Sequence, residues 1–528
     1  MHTDASTARP VYHYTRPHGW MNDPIPFYDV EWRRLHLFSI CDPNSTKAPW
    51  AGGWQAWCHA WTEDMGRNWV TSRKLAVPVE SPGTGSVVAL PANCRARQRL
   101  HARAALFTAS ANAFSPQLWA SADNELALWR EVGAVSLPRP NITGVLSTGD
   151  VYVWHDERRS SWRLLISSLT AQGTPPMLLA YESEEDLSDW RYAGVFWTGA
   201  GANRLECPSY ITGVGMDGAR RGVLTYSLPA GEYNQYWVHG AEAPNGSFVP
   251  LATGQLEWGI GYAAGMTSTW PGRALLFSWM RGVADDAATY AGAQSIPREL
   301  SMRADGTLVV RAAREMSSWT SNTSTRAVRL NASSEGREHG VGRVAHHARM
   351  GLSARASGWA LPATFGLTLR PTSSSLQRGA GEGVQAQDAM LSLTVVIDDE
   401  WRACARMNPR HGCAPLGDAI SSKRPAHVRD DSMQQVASEG VVVGAGRNAG
   451  CHLPWSLEVH AELWLDFGLA KAFIDRGSGQ EPATSHSAVL SAYNQRLLLD
   501  ADGLNATVWL QGSNMSTDFK ISWSGVAT

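Results

Sequence analysis

The chain has 528 residues and a mass of 57.4 kDa, which at roughly 150 residues per domain leaves room for two to four domains. A formal net charge of −2 with 18% charged residues argues against a nucleic-acid binder, which would carry a basic stripe. Hydrophobic content of 44% excludes a disordered chain, and no apolar run reaches the roughly 18 residues that a membrane span needs.

The first half carries an internal repeat. Three segments end a strand-like run with a short polar stretch, an aspartate and then a tryptophan: Asp64 to Trp69, Asp123 to Trp129 and Asp186 to Trp190. A spacing near 60 residues with strand-type content suits a four-stranded propeller blade. Strands are predicted at Asp150–Trp154, Trp162–Ile166, Gly222–Tyr226, Gln235–Val238 and Ala274–Trp279. Five such blades end near Ile296-Pro-Arg-Glu-Leu300. After Met316 a polar stretch, SSWTSNTSTRAV, reads as a connection. Period-two runs follow at Thr364–Leu369, Met390–Ile397, Leu457–Leu463 and Asn505–Leu510, the pattern of a β-sandwich. Residues 408–448 read as a surface insertion or disorder. The predicted fold is all-β: a five-bladed β-propeller over residues 10–315, then a β-sandwich over 325–525.

The 24 tryptophans, with 49 Gly and 27 Pro, suit both core packing and the aromatic surfaces that sugar rings stack on. Seven scattered cysteines form no C-x-x-C pair and no evident disulfide framework. His18, His36 and His59 match no metal-ligand spacing, so neither a metal nor another cofactor is expected. Asn44, Asn141, Asn245, Asn322, Asn331, Asn505 and Asn514 all stand in N-x-S/T sequons. That enrichment points to a secreted glycoprotein, although MHTDASTARP shows no apolar signal core and leaves a cytoplasmic location open.

Two carboxylates stand in unusual settings. Asp23 lies in His18-Gly-Trp-Met-Asn-Asp-Pro24, flanked by Trp20 and Asn22; Glu206 lies in Arg204-Leu-Glu-Cys-Pro208. Asp150 opens a predicted strand. Either Asp could be an ordinary turn residue. In a propeller, however, inner strands line one channel, so residues far apart in sequence converge there. Glycoside hydrolysis needs two carboxyl groups flanking the scissile bond.

The pair HGWMNDP and RLECP resembles glycoside hydrolase family 32, the invertase, inulinase and fructosyltransferase family, in its fungal-type form. Leu35-His-Leu-Phe38, Gly85-Ser86, Leu256-Glu-Trp-Gly259 with Tyr262-Ala263, and Ile296-Pro-Arg-Glu-Leu300 agree with that family's segments in chain order. The resemblance covers about 300 residues well and implies a five-bladed propeller followed by a sandwich. It implies Asp23 as nucleophile, Glu206 as acid/base and Asp150 as the carboxylate that binds sugar hydroxyls. The family's R-D-P motif is here Gly149-Asp150-Val151, its glutamine after the second strand is Ile40, and Trp61 replaces a small hydroxyl residue. These departures touch substrate binding rather than the nucleophile–acid pair.

The implied activity is retaining hydrolysis of β-fructofuranosides, sucrose or short fructans, with fructosyl transfer open. Asn22, Trp20, Trp57, Arg204 and Ser86 are the expected substrate contacts. Competing readings are a catalytically impaired carbohydrate-binding relative and another five-bladed glycosidase, such as an arabinan-degrading enzyme. Retention further predicts Asp23 and Glu206 carboxyl groups about 5–5.5 Å apart.

Overall fold

The computed structural model describes the chain from residue 9, apart from several stretches, chiefly 110–113, 214–220, 230–234, 285–288, 372–389, 408–413, 416–454, 477–487 and 494–503. The 408–448 expectation therefore lies outside the described residues, save Ala414–Pro415. The described elements are strands with a few turns of 3-10 helix, an all-β fold as the patterning predicts.

Three antiparallel four-stranded sheets run in sequence order. They span Pro82–Ala89 to Trp129–Ala134, Val145–Asp156 to Arg191–Thr198, and Glu206–Thr212 to Phe248–Gln255. A nine-stranded sheet holds the strands from Gly19 to Thr71 together with those from Gly261 to Ala312. The strand Tyr290–Gln294 welds these two sets, pairing parallel with Gly19–Asp29 and antiparallel with Arg273–Ala284. The leading strands Gly19–Asp29, Pro82–Ala89, Val145–Asp156, Glu206–Thr212 and Gly261–Thr269 each pack beside the next, and the last packs against the first. The ring is tight: a Cβ on Gly265 would lie 2.3 Å from the Pro24 carbonyl oxygen of the neighbouring leading strand.

The Asp-to-Trp repeat marks the turn from third to fourth strand. Trp129 and Trp190 each donate their indole N–H to a carbonyl three residues earlier, Leu126 at 2.9 Å and Leu187 at 2.8 Å. Asp64 and Asp123 accept backbone N–H groups four residues on, while Asp186 lies outside the described residues.

From Thr320 onward the chain supplies six strands of a seven-stranded sheet, whose seventh is Trp258–Gly259, and all of a six-stranded sheet. The two enclose a separate apolar core, with Met350, Ile397, Val508 and Ile521 nearly inaccessible. The polar stretch after Met316 is not a bare connection. It forms a 3-10 turn, Arg314–Trp319, and the edge strand Thr320–Leu330 of the seven-stranded sheet. Its Ser, Thr and Arg side chains suit an edge exposed to water. A disulfide joins Cys41 to Cys58 on adjacent strands, so the scattered cysteines do supply a crosslink.

The two strand systems are tied by a buried ion cluster. Glu257 meets Lys471 at 2.6 Å and Arg298 at 3.3 Å, all three side chains at most 1% exposed. Beside it, Trp258–Gly259 pairs with Ala488–Tyr493 of the seven-stranded sheet. Glu257→Gln leaves two buried cations facing each other without their carboxylate. It should cost about 3–5 kcal/mol, read by denaturant unfolding.

Candidate active site

All five leading strands break register at the same end of the ring. The irregularities fall between Met21 and Pro24, Pro82 and Gly85, Thr148 and Val151, Glu206 and Ser209, and Tyr262 and Gly265. A bulge re-aims side chains that regular alternation would send into a sheet. Here the bulged residues include Asp23, Thr84 and Asp150, with Glu206 and Tyr262 at the margins of theirs. Cys207 and Ala263 take φ values of +49° and +53°, strained for residues with a Cβ.

The three sequence-predicted carboxylates come together. Thr84 Oγ1 donates to Asp23 Oδ2 at 2.8 Å, and the Thr84 N–H donates to Asp150 Oδ1 at 3.2 Å. The Cys207 N–H donates to Asp150 Oδ2 at 2.8 Å, while its thiol lies 3.6 Å from both Asp23 Oδ2 and Asp150 Oδ2. Glu206 accepts from the Tyr262 hydroxyl on Oε2 and faces Arg204 Nε at 3.1 Å on Oε1. Asp23 Oδ1 and Asn22 Oδ1 are buried without a partner in the protein, the signature of groups aimed at a ligand.

Electrostatics follow from this crowding. Burial, and after it the Asp150 charge, push the Asp23 carboxyl up to about 7, against the Thr84 hydrogen bond, with Glu206 adding to the rise. Burial and then Asp150 also raise Glu206, opposed by Tyr262 and Arg204. The Cys207 thiol, buried among the three carboxylates, is driven well above its ordinary value and keeps its proton. A site where carboxyl groups compete for protons is equipped for acid–base work.

The other expected contacts divide. Arg204 stands at the site, and Asn22 is held by Gln294, whose amide donates to its carbonyl at 2.5 Å. Trp20 is only 3% exposed, edge-on to Trp50 at 5.4 Å between ring centres; Trp50, at 71%, is the exposed indole. Trp57 does not reach the site surface. It is fully buried against Phe107 and Phe38 and donates its N–H to the Gly83 carbonyl. Ser86 is likewise a strut, accepting the Val153 N–H at 3.0 Å between adjacent leading strands. Ile40 packs in the same apolar cluster as Trp20 and Trp57, and Trp61 lies under the Arg34 guanidinium. His36 and His59 form a buried pair, 2.9 Å between ring nitrogens, and burial holds His36 down to about 3.

Thr84, Tyr262, Gln294 and Trp50 are the site residues that the sequence reading gave no role. Thr84 had a readable signal, a hydroxyl residue between two glycines. Gly85 is needed there because a Cβ would lie 2.1 Å from the Leu106 carbonyl oxygen.

Three carboxylates thus converge at one end of a ring of strands, a set of groups equipped for acid–base and nucleophilic chemistry. Residues 13–312 match the family model "Glycosyl hydrolases family 32 N-terminal domain", and the chain belongs to glycoside hydrolase family 32. Among curated relatives, the levanbiose-producing levanase of Bacillus subtilis (strain 168) is 26% identical over 327 residues. That match takes in 57% of this chain, and the chain spans 59% of the levanase's length. Among solved structures, fructan 1-exohydrolase IIa from Cichorium intybus is similar with a TM-score of 0.69 at 18% identity, covering 99% of this chain and 98% of its own. The fructofuranosidase of Schwanniomyces occidentalis reaches 0.64 at 13% identity, covering all of both chains. Both likenesses extend the shared fold across the C-terminal sheets.

Proposed function

We propose that this protein is a retaining glycosidase that hydrolyses β-fructofuranosides, sucrose or short fructans, through a covalent fructosyl-enzyme intermediate. The observation that carries the reading is the cluster of half-buried Asp23 and Glu206 around buried Asp150, in which Asp23 Oδ1 is unpartnered and Glu206 is clamped from both sides. Asp23 attacks the anomeric carbon as Glu206 protonates the departing oxygen. Glu206 then takes a proton from water, which breaks the Asp23–fructosyl ester. Asp150, fixed by two backbone N–H groups, accepts hydrogen bonds from sugar hydroxyls, and Asn22 supplies a second acceptor. The levanase relative, and a Cichorium intybus fructan 1-exohydrolase solved in complex with 1-kestose, support fructan as substrate class.

Incubation with sucrose, inulin, levan and arabinan tests this. Fructose release from the first three, with the β-anomer appearing first by NMR, is the expected result; release from arabinan alone, or initial inversion, rejects it.

The ring of five leading strands supports a five-bladed propeller over residues 10–315, with a β-sandwich over 325–525. Secretion as a glycoprotein is the accompanying proposal. Asn44, Asn141, Asn245, Asn331 and Asn505 are all exposed, and the Cys41–Cys58 disulfide suits an oxidising compartment. Treating protein from a eukaryotic secretory host with an N-glycosidase should lower its mass; an unchanged mass means the sequons are idle.

A further inference from the structure

Gly149 precedes Asp150 on the strand Val145–Asp156, and the space left by its missing side chain is filled. A Cβ there would lie 3.2 Å from Arg204 Nη2, 3.8 Å from Arg204 Nε and 2.8 Å from Ser167 Oγ. Its φ lies outside the left-handed region, so the backbone does not demand glycine here; the steric room does. Arg204 is rooted on the far side of that room. Its backbone bridges Leu169, and the neighbouring Asn203 carbonyl accepts from Thr170 N at 2.8 Å and from Thr170 Oγ1 at 3.1 Å. From there the side chain crosses Gly149 to put Nε on Glu206 Oε1. Tyr262 holds the opposite oxygen, under the Arg281 guanidinium at 5.1 Å from its ring centre.

We propose that Gly149 and Arg204 form one positioning device for the acid/base: the gap at Gly149 seats the Arg204 guanidinium, which orients Glu206 for proton delivery and sets the pH range of that delivery. The proposal rests on the reading of Glu206 as acid/base.

The groups facing Glu206 are Arg204, Tyr262, Asp150, Asp23 and Cys207. Arg204 is the permanent cation among them, and it favours the ionised carboxylate. Displacing it lets Glu206 keep its proton to higher pH, so the alkaline limb of kcat/KM moves up. The loss of orientation lowers kcat at the same time. A residue that merely supported the fold would change the melting temperature and leave the limb in place.

Gly149→Ala is a mild way to move the guanidinium, because the atoms crowding the new Cβ are the tip of an arginine and a serine hydroxyl, both free to rotate. It should shift the alkaline limb up by about 0.5–1 pH unit and lower kcat by about threefold to tenfold. Arg204→Gln should shift the limb the same way and further. The double variant Gly149→Arg with Arg204→Ala returns a guanidinium to the gap from the other strand, and should recover at least half of the kcat lost in Arg204→Ala. A limb that stays put in both Gly149→Ala and Arg204→Gln, or a double variant no better than Arg204→Ala, overturns the proposal. An infrared titration of the Glu206 carboxyl, assigned by its loss in Glu206→Gln, needs no turnover. The protonated band should persist to higher pH in Gly149→Ala and Arg204→Gln than in the native protein, and equal titrations reject the device. A native protein inactive on every fructoside would sink the functional reading, and the infrared result would still decide this one.

Discussion

Replacing Asp23 with Asn should lower kcat/KM for sucrose by about 10⁴-fold or more while leaving the protein folded. The substitution removes the charge of the proposed nucleophile at constant volume, and the Thr84 hydroxyl still has an acceptor at that position. The stability effect has a definite sign. Asp23 is raised from 3.8 to about 7, first by burial and then by Asp150. A carboxyl whose folded pKa exceeds its unfolded value stabilises the fold while protonated, and that contribution is lost as pH rises from 3.8 to about 7. Asparagine never ionises, so the variant should melt above the native protein at pH 8 and level with it at pH 3.5. Kinetic assays and thermal melts at both pH values check this. Native-like turnover in a folded Asp23→Asn protein would remove the nucleophile from the mechanism.

The same crowding explains how much of the site was readable in advance. Asp23 and Glu206 stood out by their local sequence and Asp150 by its match to the family's third carboxylate, and the structure brings all three together. Strands such as Ala274–Trp279 and Leu457–Leu463 were legible from apolar content and period-two alternation, properties each segment carries alone. Trp57 and Ser86 were expected at the substrate because of the family resemblance; in the structure Trp57 is fully buried against Phe107 and Phe38, and Ser86 bonds the Val153 N–H. The irregularity between Pro82 and Gly85 aims the Thr84 hydroxyl at Asp23, a local event that alternation does not encode. Trp50 was invisible for another reason. It sits on the 3-10 turn Pro49–Ala51, which sets the indole edge-on to Trp20, a contact no local pattern encodes. Tyr262 and Gln294 are tertiary partners, which only the closure of the ring brings to Glu206 and Asn22.

The second large effect belongs to Glu206. Glu206→Gln should lower kcat on sucrose by about 10²–10⁴-fold, the usual worth of a positioned proton donor. A p-nitrophenyl fructoside should lose much less in the first step, because its phenolate leaves without protonation. The second step still needs a base to activate water, and glutamine is none. The variant should therefore release a rapid burst of p-nitrophenol equal to the enzyme concentration and then stall as the Asp23 ester. The native enzyme should show an alkaline limb, since burial and then Asp150 raise Glu206 and its proton is lost only above the ordinary carboxyl range. Loss of that limb in the variant ties it to this side chain. Adding azide, a nucleophile that needs no general base, should restart turnover of the stalled ester. An equal loss on both substrates without a burst would mean that Glu206 shapes the site but does not carry the proton, and the donor would then have to be sought among the other groups around Asp23.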